Sequence, residues 1–404
     1  MAETYGAECD DRTATVAKEI RDTKPFRVLL TCAFFEPGFR AGGPIRSVSQ
    51  LLDVVSPAIE VTMVTRDRDL GSTAAYPGLS GRWVRRGQAR ICYVNPRRPR
   101  HWWLLAKRLT RIRFDLLYVN SLWAPSSIFP ILAARLSLIR ARRILVAPRG
   151  ELAPTARNVK ATKKRIFLPF WRPFLSGSRV LWHATNPQEA ELIAQTFPGA
   201  RIETRPNDVS ISGEPLVPSA ADGPLRLVFI SRINPIKNLT TALTALGRMS
   251  RPAMFDIYGP IEDVDYWAAC QDLIRRLPET VSVNYRGELT PDQVRPTFAR
   301  YDAFVFPTQG ENFGHVIAES LSASCPVLCA DRTPWTPVLR EGGGEVLADL
   351  APETLAHQLD LLAAAPPERR LRARHAAGEA YRSWRARTDE PNILDRIRMD
   401  AASR

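Results

Sequence analysis

The sequence predicts an α/β protein of two doubly wound domains in tandem, each a mostly parallel sheet covered on both faces. Three observations carry this. The chain has 404 residues, more than one hydrophobic core usually organises, so two domains of roughly 150–200 residues are expected. Short apolar runs alternate with amphipathic ones at the spacing of βαβ units. That alternation breaks at the Pro- and Gly-rich stretch 212–224 (SGEPLVPSAADGP) and then restarts. With 45% apolar and 24% charged residues the composition is that of an ordinary globular protein, which excludes a wholly disordered chain.

Residues 1–24 are acidic and polar without an apolar core segment, and read as a flexible tail rather than a signal peptide. Phe26–Thr31 (FRVLLT) is a buried first strand, bounded by Pro25 and the turn-rich EPGFRAGGP. A helix begins at Ser47–Val55 and a strand follows at Glu60–Thr65. Ile91–Val94 and Leu116–Asn120 are further strands, with the amphipathic segment 102–113 between them. Ser126–Leu138 reads as helix, Arg143–Val146 and Val180–His183 as strands, and Pro187–Thr196 as helix. These make a first domain over 25–211. Beyond the linker 212–224 come strand Leu225–Ser231, helix Leu239–Met249, strand Met254–Tyr258, helix Val264–Leu277 and strand Val281–Tyr285. Helix Pro291–Arg300, strand Ala303–Pro307, helix Val316–Ser322 and strand Val327–Ala330 complete the pattern of a second domain over 225–370. The segment 371–404 is Arg- and Ala-rich helix through Trp384–Arg387, crossing back toward the first domain, with last residues that fray.

The longest apolar stretch, 125–139, is interrupted by Pro130 and Arg135 and is too short and too polar to span a bilayer. The six cysteines include no C-x-x-C pair. Cys325 and Cys329 are four apart with no second pair or nearby His, so they read as buried thiols of a reduced, cytoplasmic protein.

Three segments carry chemistry. In Phe304–Glu319 (FVFPTQGENFGHVIAE) a strand enters a loop, and a helix begins near Phe313–Gly314. Ligands of parallel sheets bind at such strand ends. The backbone N–H groups of Asn312, Phe313 and Gly314 suit an anionic or hydroxylated ligand. A carboxylate accepts from vicinal hydroxyls, so Glu311 suits a hexose and Glu319 a ribose. The alternative makes Glu311 a helix N-terminal charge and Glu319 a surface residue, although Glu319 lies among Val316, Ile317, Ala318 and Leu321. In Phe229–Leu239 (FISRINPIKNL), Arg232 and Lys237 are spaced to converge on one anion such as a leaving diphosphate, with Asn234 between them. Solvated loop charges are the other reading. In Pro37–Ser47 (PGFRAGGPIRS), Gly42 and Gly43 bring backbone close to a ligand and a helix starts beyond Pro44, or the segment is a simple turn.

The net charge is +14 and two stretches are strongly basic. Arg97–Arg113 holds seven Arg or Lys and no acid around Trp102, Trp103, Leu104 and Leu105. Arg157–Phe174 holds six, with Phe167, Phe170, Trp171 and Phe174. Contact with anionic lipid fits this pattern, nucleic acid uses the same chemistry but is not the expected partner, and core aromatics with solvated cations is the plain reading.

Together these segments resemble the retaining GT-B glycosyltransferases called glycosyltransferase family 4, over about residues 26–390. The E-x7-E of Glu311 and Glu319 with its NFG resembles that family's donor signature, as does the R-x4-K of Arg232 and Lys237. The resemblance implies two Rossmann-like domains facing across a cleft. It implies contact of Glu311 with the transferred sugar and of Glu319 with the donor ribose, a diphosphate held by Arg232 and Lys237, and Gly42–Gly43 facing it. His183–Glu191 (HATNPQEAE) resembles the run that nears the cleft at the end of the first domain, which places His183 with Arg46 and Arg149 on the acceptor side. Asn207 resembles the Asn of the family's PNG turn, read here as Pro206-Asn207-Asp208. Where the family has His before Gly, this chain has Arg149 in Ala147-Pro148-Arg149-Gly150.

The implied reaction moves a hexosyl or N-acetylhexosaminyl group from a nucleotide-diphosphate sugar to a saccharide acceptor, free or lipid-linked, in glycan or polysaccharide biosynthesis. A UDP-sugar is the first expectation and GDP-mannose the second. Neither metal nor cofactor is expected. Asp263 and Asp265 form a D-x-D that sits at a loop or helix start rather than a strand end. The expected location is cytoplasmic, against the inner face of the cell membrane through 97–113 and 157–174. Competing readings are a natural-product glycosyltransferase, a sugar-nucleotide epimerase or hydrolase, a phosphorylase (whose pyridoxal lysine cannot be placed), and a basic membrane- or nucleic-acid-binding module.

Overall fold

The computed structural model describes residues 24–153, 167–219, 223–388 and 390–403. The tail up to residue 23, the basic stretch from 157 to 166 and linker residues 220–222 lie outside the described residues.

The first sheet has eight strands: β1 (Phe26–Thr31), β2 (Ile59–Arg66), β3 (Trp83–Arg86), β4 (Ala89–Val94), β5 (Arg113–Asn120), β6 (Arg140–Ala147), β7 (Val180–Ala184) and β8 (Arg201–Thr204). Their spatial order is β3-β4-β2-β1-β5-β6-β7-β8. Only the edge pair β3–β4 is antiparallel. Phe26 pairs with Ile59 and Val28 with Leu116. Crossovers include α1 (Gly43–Val54), α2 (Pro99–Leu109), α3 (Pro125–Arg135) and α4 (Pro187–Thr196). A central parallel strand is covered on both faces, so it reads as continuous apolar residues rather than alternation; Val28, Leu29 and Leu30 are all fully buried. Proline occupies the first turn of all four helices, where its missing N–H costs nothing. Asn186 caps α4 by accepting from Glu189 N at 2.8 Å.

The second sheet has six parallel strands: β9 (Leu225–Ile230), β10 (Ala253–Tyr258), β11 (Val281–Tyr285), β12 (Ala303–Val305), β13 (Val327–Ala330) and β14 (Gly344–Leu347), in the order β11-β10-β9-β12-β13-β14. Its helices are α5 (Leu239–Leu246), α6 (Val264–Ile274), α7 (Pro291–Phe298), α8 (His315–Ser322), α9 (Pro352–Ala364) and α10 (Pro367–Arg387). In each sheet the winding reverses beside the first strand, between β1 and β5 and between β9 and β12. The carboxyl ends of these strands flank a crevice where ligands of such sheets bind.

Three short strands, β3, β8 and β14, and helix α9 had no counterpart in the sequence reading. The strands have four residues each and little apolar period (WVRR, RIET, GEVL), so only pairing with a neighbour defines them. The chain's end is a correction: instead of fraying, it forms a final helix, α11 (Ile393–Ala402). Ile393, Leu394 and Ile397 are 1%, 0% and 2% exposed and belong to the first domain's core with Val28, Leu30 and Leu52. Asn392 caps α11 and its Nδ2 donates to Val54 O at 3.3 Å, while Ser56 N donates to Asp395 at 3.2 Å. Meanwhile Ala377, Ala380 and Tyr381 of α10 lie in the second domain's core, so the chain crosses back as expected. Replacing Leu394 by Ala leaves a cavity in that core and should cost about 2–5 kcal/mol, read as a lower denaturation midpoint in guanidinium unfolding.

Candidate active site

The two sheets present their carboxyl ends to a cleft between the domains, with a cavity of about 650 Å³. On the second domain's side, the loops after β9 and β12 are bonded together. Gln309 N donates to Ile236 O at 2.9 Å and Asn238 Nδ2 to Pro307 O at 3.0 Å, and Thr308 Oγ1 lies 3.2 Å from Ile236 O. This brings the predicted Arg232–Lys237 and Glu311 segments to one place. Lys237 Nζ forms an ion pair with Glu311 Oε1 and lies 5.5 Å from the centre of the Phe306 ring. Thr308 Oγ1, whose single proton serves either this carboxylate or Ile236 O, lies 3.3 Å from the same Oε1. Arg232 Nη1 donates to both oxygens of Glu262 at 2.8 Å, and Asn234 Nδ2 donates to Glu262 Oε2 at 2.5 Å. Asn234 Oδ1 also accepts from Lys237 N at 3.2 Å, fixing the turn between the two cations. Glu262 and Gly259 contribute to this corner and escaped the sequence reading. Gly259 has φ 134°, and a Cβ there would stand 1.9 Å from Ser231 O, so the loops pack only with glycine.

On the opposite side Gly42 (φ 65°) precedes α1, and the place a Cβ would occupy is 3.9 Å from Arg232 Nε across the cleft. The equivalent point on Gly43 is 3.8 Å from His315. Arg46, predicted for the acceptor side, instead forms an ion pair with Glu319 Oε1, while Glu319 Oε2 is buried without a hydrogen-bond partner. Ser47 Oγ lies 2.8 Å from His315 Nε2. Arg40 Nη2 and Glu288 Oε1 add a second inter-domain ion pair at 3.1 Å.

Asn312 and Gly314 also line the cavity. The Asn312 carbonyl accepts from Asn186 Nδ2 at 2.6 Å, and its side-chain oxygen lies 2.8 Å from Thr185 Oγ1, its nitrogen 3.2 Å from Glu189 Oε1. Glu189 is 3% exposed and also accepts from Gly150 N at 2.6 Å and Thr185 N at 2.8 Å. The HATNPQEAE run thus meets the cleft through Thr185, Asn186 and Glu189. Phe313 is set into the core, its ring on Trp335 and Trp384 and its carbonyl accepting from Trp335 Nε1 at 2.6 Å, so it positions the loop through its backbone.

His183 is a correction to the acceptor-side set. It is 2% exposed and does not line the cavity. Its Nε2 lies 2.8 Å from Arg205 O, which only accepts, so Nδ1 takes the Tyr118 hydroxyl proton at 2.8 Å. Tyr118 in turn accepts from Arg149 Nη2 at 2.7 Å. Asn120 Oδ1 accepts from Arg149 Nε and Nη2 at 3.0 and 2.8 Å, and Asn207 accepts from Nη1. Arg149 (φ 55°) lines the cavity on this support. Asp263 caps α6, accepting from Tyr266 N at 2.9 Å. Among the described residues no group of three or more His, Cys, Asp or Glu is placed to hold a metal ion. The five described cysteines are buried and free, and no described helix is long and apolar enough to cross a membrane.

Two Rossmann-like domains facing across a cleft, with such loops on both sides, define the GT-B architecture. Known proteins agree with it. Residues 217–380 match the family described as glycosyl transferases group 1, and residues 42–208 the glycosyl transferase 4-like domain. HepE of Anabaena, solved with UDP and glucose, superposes with a TM-score of 0.68 at 15% identity, covering 94% of this chain and 100% of its own. Sucrose-phosphate synthase of Thermosynechococcus elongatus gives 0.71 at 15% identity, with the same coverage. WaaG, a glycosyltransferase involved in lipopolysaccharide biosynthesis, gives 0.60 at 13%, covering 91% and 96%. No curated protein matches the chain in sequence. The chain is a GT-B-fold protein related to the group 1 and 4-like glycosyl transferases.

Burial and the nearby Arg149 charge push the His183 imidazole down to about 3, and burial holds His315 well below its usual range. Both stay neutral in the folded chain at pH values where an unfolded chain, with His near 6.5, takes up protons. Stability should therefore be full above about pH 6.5 and fall as pH drops from there toward 3, by up to about 1.4 kcal/mol per pH unit for each histidine. Urea unfolding from pH 7 to 4 checks the slope, and His183→Gln should flatten it.

Proposed function

We propose that this chain is a retaining, metal-independent glycosyltransferase. It moves a hexosyl or N-acetylhexosaminyl group from a nucleotide-diphosphate sugar to a saccharide acceptor. The observation that carries the reading is the meeting of Arg232, Lys237 and Glu311 in one cleft, opposite a glycine pair whose missing side chains leave room for a diphosphate, with Glu319 buried next to them and paired with Arg46 of the cavity wall. Both cations are held in place beforehand by Glu262 and Glu311, and preorganised charge stabilises a developing anion without further rearrangement. The Glu311 carboxylate suits sugar hydroxyls, and the unpartnered Glu319 Oε2 suits a ribose hydroxyl.

In this reaction the acceptor hydroxyl attacks the anomeric carbon on the face from which the diphosphate leaves. The bond to the β-phosphate oxygen breaks, and that phosphate takes the acceptor's proton. Charge grows on the leaving oxygen beside Arg232 and Lys237, so their effect belongs mainly to the transition state. Arg149 faces the acceptor half of the cavity as a fixed cation.

A UDP-sugar is the preferred donor, supported by HepE having been solved with UDP and glucose and with UDP-glucose; GDP-mannose is second. A glycan acceptor is supported by the lipopolysaccharide role stated for WaaG. Calorimetry with UDP, GDP, ADP and TDP, with and without EDTA, tests the donor site. One nucleotide, UDP, should bind, with no change on chelation, and Glu319→Ala should weaken it roughly tenfold to a hundredfold. Lys237→Ala should lower turnover about 10²–10³-fold with a smaller effect on donor affinity. Absence of nucleotide binding, or full turnover in Lys237→Ala, would sink the reading.

A further inference from the structure

The excess charge of the chain is not spread over its surface. Residues 70–114 contain eleven Arg or Lys and no Asp or Glu, and so account for most of the net charge of +14. They form β3, β4, α2 and their loops, the free edge of the first sheet. Among the described residues, only Arg86 of these eleven cations has a carboxylate partner, in Glu36 and Asp53. The contrast with the cleft is sharp, since Arg40, Arg46, Arg232 and Lys237 are each paired.

Apolar side chains stand among these cations. Leu105 and Leu109 turn inward from α2 and are 6% and 5% exposed, whereas Trp102, Trp103 and Leu104 are 41%, 61% and 46% exposed. Lys107 Nζ lies 5.1 Å from the centre of the Trp103 ring, and Trp102 Nε1 donates to Pro96 O at 3.1 Å. Exposing two tryptophans and a leucine to water is unfavourable. A helix with this outer face and flanking Lys and Arg matches the chemistry of a bilayer interface carrying anionic headgroups. A nucleic acid strand fits less well. Its bases stack on aromatic faces set in a groove, whereas Trp103 stands on a projecting helix with Lys107 over its ring, and Leu104 offers nothing to a base.

We propose that the β3–β4–α2 edge of the first domain docks on an anionic lipid bilayer, with Trp103 and Leu104 entering the interface and the unpaired arginines meeting the headgroups. The strand order adds a geometric consequence. Because β4, β2 and β1 are parallel, α2 starts at the same end of the sheet as the loop bearing Gly42. Docking would therefore hold the cleft side of the domain near the membrane, where a lipid-linked acceptor would be presented.

The test is co-sedimentation of the full chain with vesicles of phosphatidylcholine alone and of phosphatidylcholine with about a third phosphatidylglycerol. Binding should require phosphatidylglycerol and weaken as salt rises. Trp103→Ser with Leu104→Ser should lower the partition coefficient roughly tenfold or more. Each of Arg97→Gln and Arg100→Gln should lower it about fivefold. Circular dichroism and nucleotide calorimetry on the same variants should match the unsubstituted chain, which separates this result from any failure of the cleft reading. The proposal is overturned if the vesicles are ignored, if neutral vesicles bind equally well, or if the double serine variant binds undiminished. A single-stranded oligonucleotide that displaces the protein from phosphatidylglycerol vesicles would also overturn it, in favour of a polyanion site.

Discussion

The structure depends on one constraint: parallel strands in each sheet end on the same side, and the winding reverses beside the first strand. At β1/β5 and at β9/β12 the loops must diverge to opposite faces, and a crevice opens between them. Gly42 leaves from one such point, and Arg232 and Glu311 from the two sides of the other. The local chemistry of each loop is ordinary. The site exists because two sheets aim these points at each other, so that a glycine on one domain stands opposite an arginine on the other.

Electrostatics then holds the arrangement. Four of the cleft's cations, Arg40, Arg46, Arg232 and Lys237, are each matched by a carboxylate, some within a domain, as Lys237 with Glu311, and some across the gap, as Arg46 with Glu319. A charge in a partly dry cleft is costly unless compensated. Such pairs keep the guanidinium and ammonium groups ordered until an anionic ligand competes for them. They also tie a ligand's arrival to contact between the domains, since Glu319 cannot be released by Arg46 without loosening one inter-domain bond.

Much of this was legible in the sequence. The alternation of apolar and amphipathic runs located the central strands within a few residues, because buried parallel strands are apolar throughout. The loops that bring Gly42, Arg232, Lys237 and Glu311 to the cleft were legible because each follows such a strand. What stayed hidden is pairing over long separations. Ser47 and His315 are 268 positions apart, and nothing local to Arg46 names Glu319 as its partner. His183 was misplaced for a different reason. Its neighbours Leu181, Trp182 and Ala184 are apolar and buried, and a polar residue inside such a strand more often completes an internal hydrogen-bond chain than faces a ligand. Here it supports Tyr118 and, through it, Arg149.

The return of α11 to the first domain means that the polypeptide passes between the domains twice, once near 207–224 and again near 388–392. Arg205 sits at both passages, donating to the carbonyls of Glu390 and Pro391 and pairing with Asp208. Two bodies joined at two points resist sliding past one another and swing most easily about the line through those points. Like a door on a pair of pins, such a joint would confine any change in the spacing of Gly42 and Arg232 to an arc set by the chain's route.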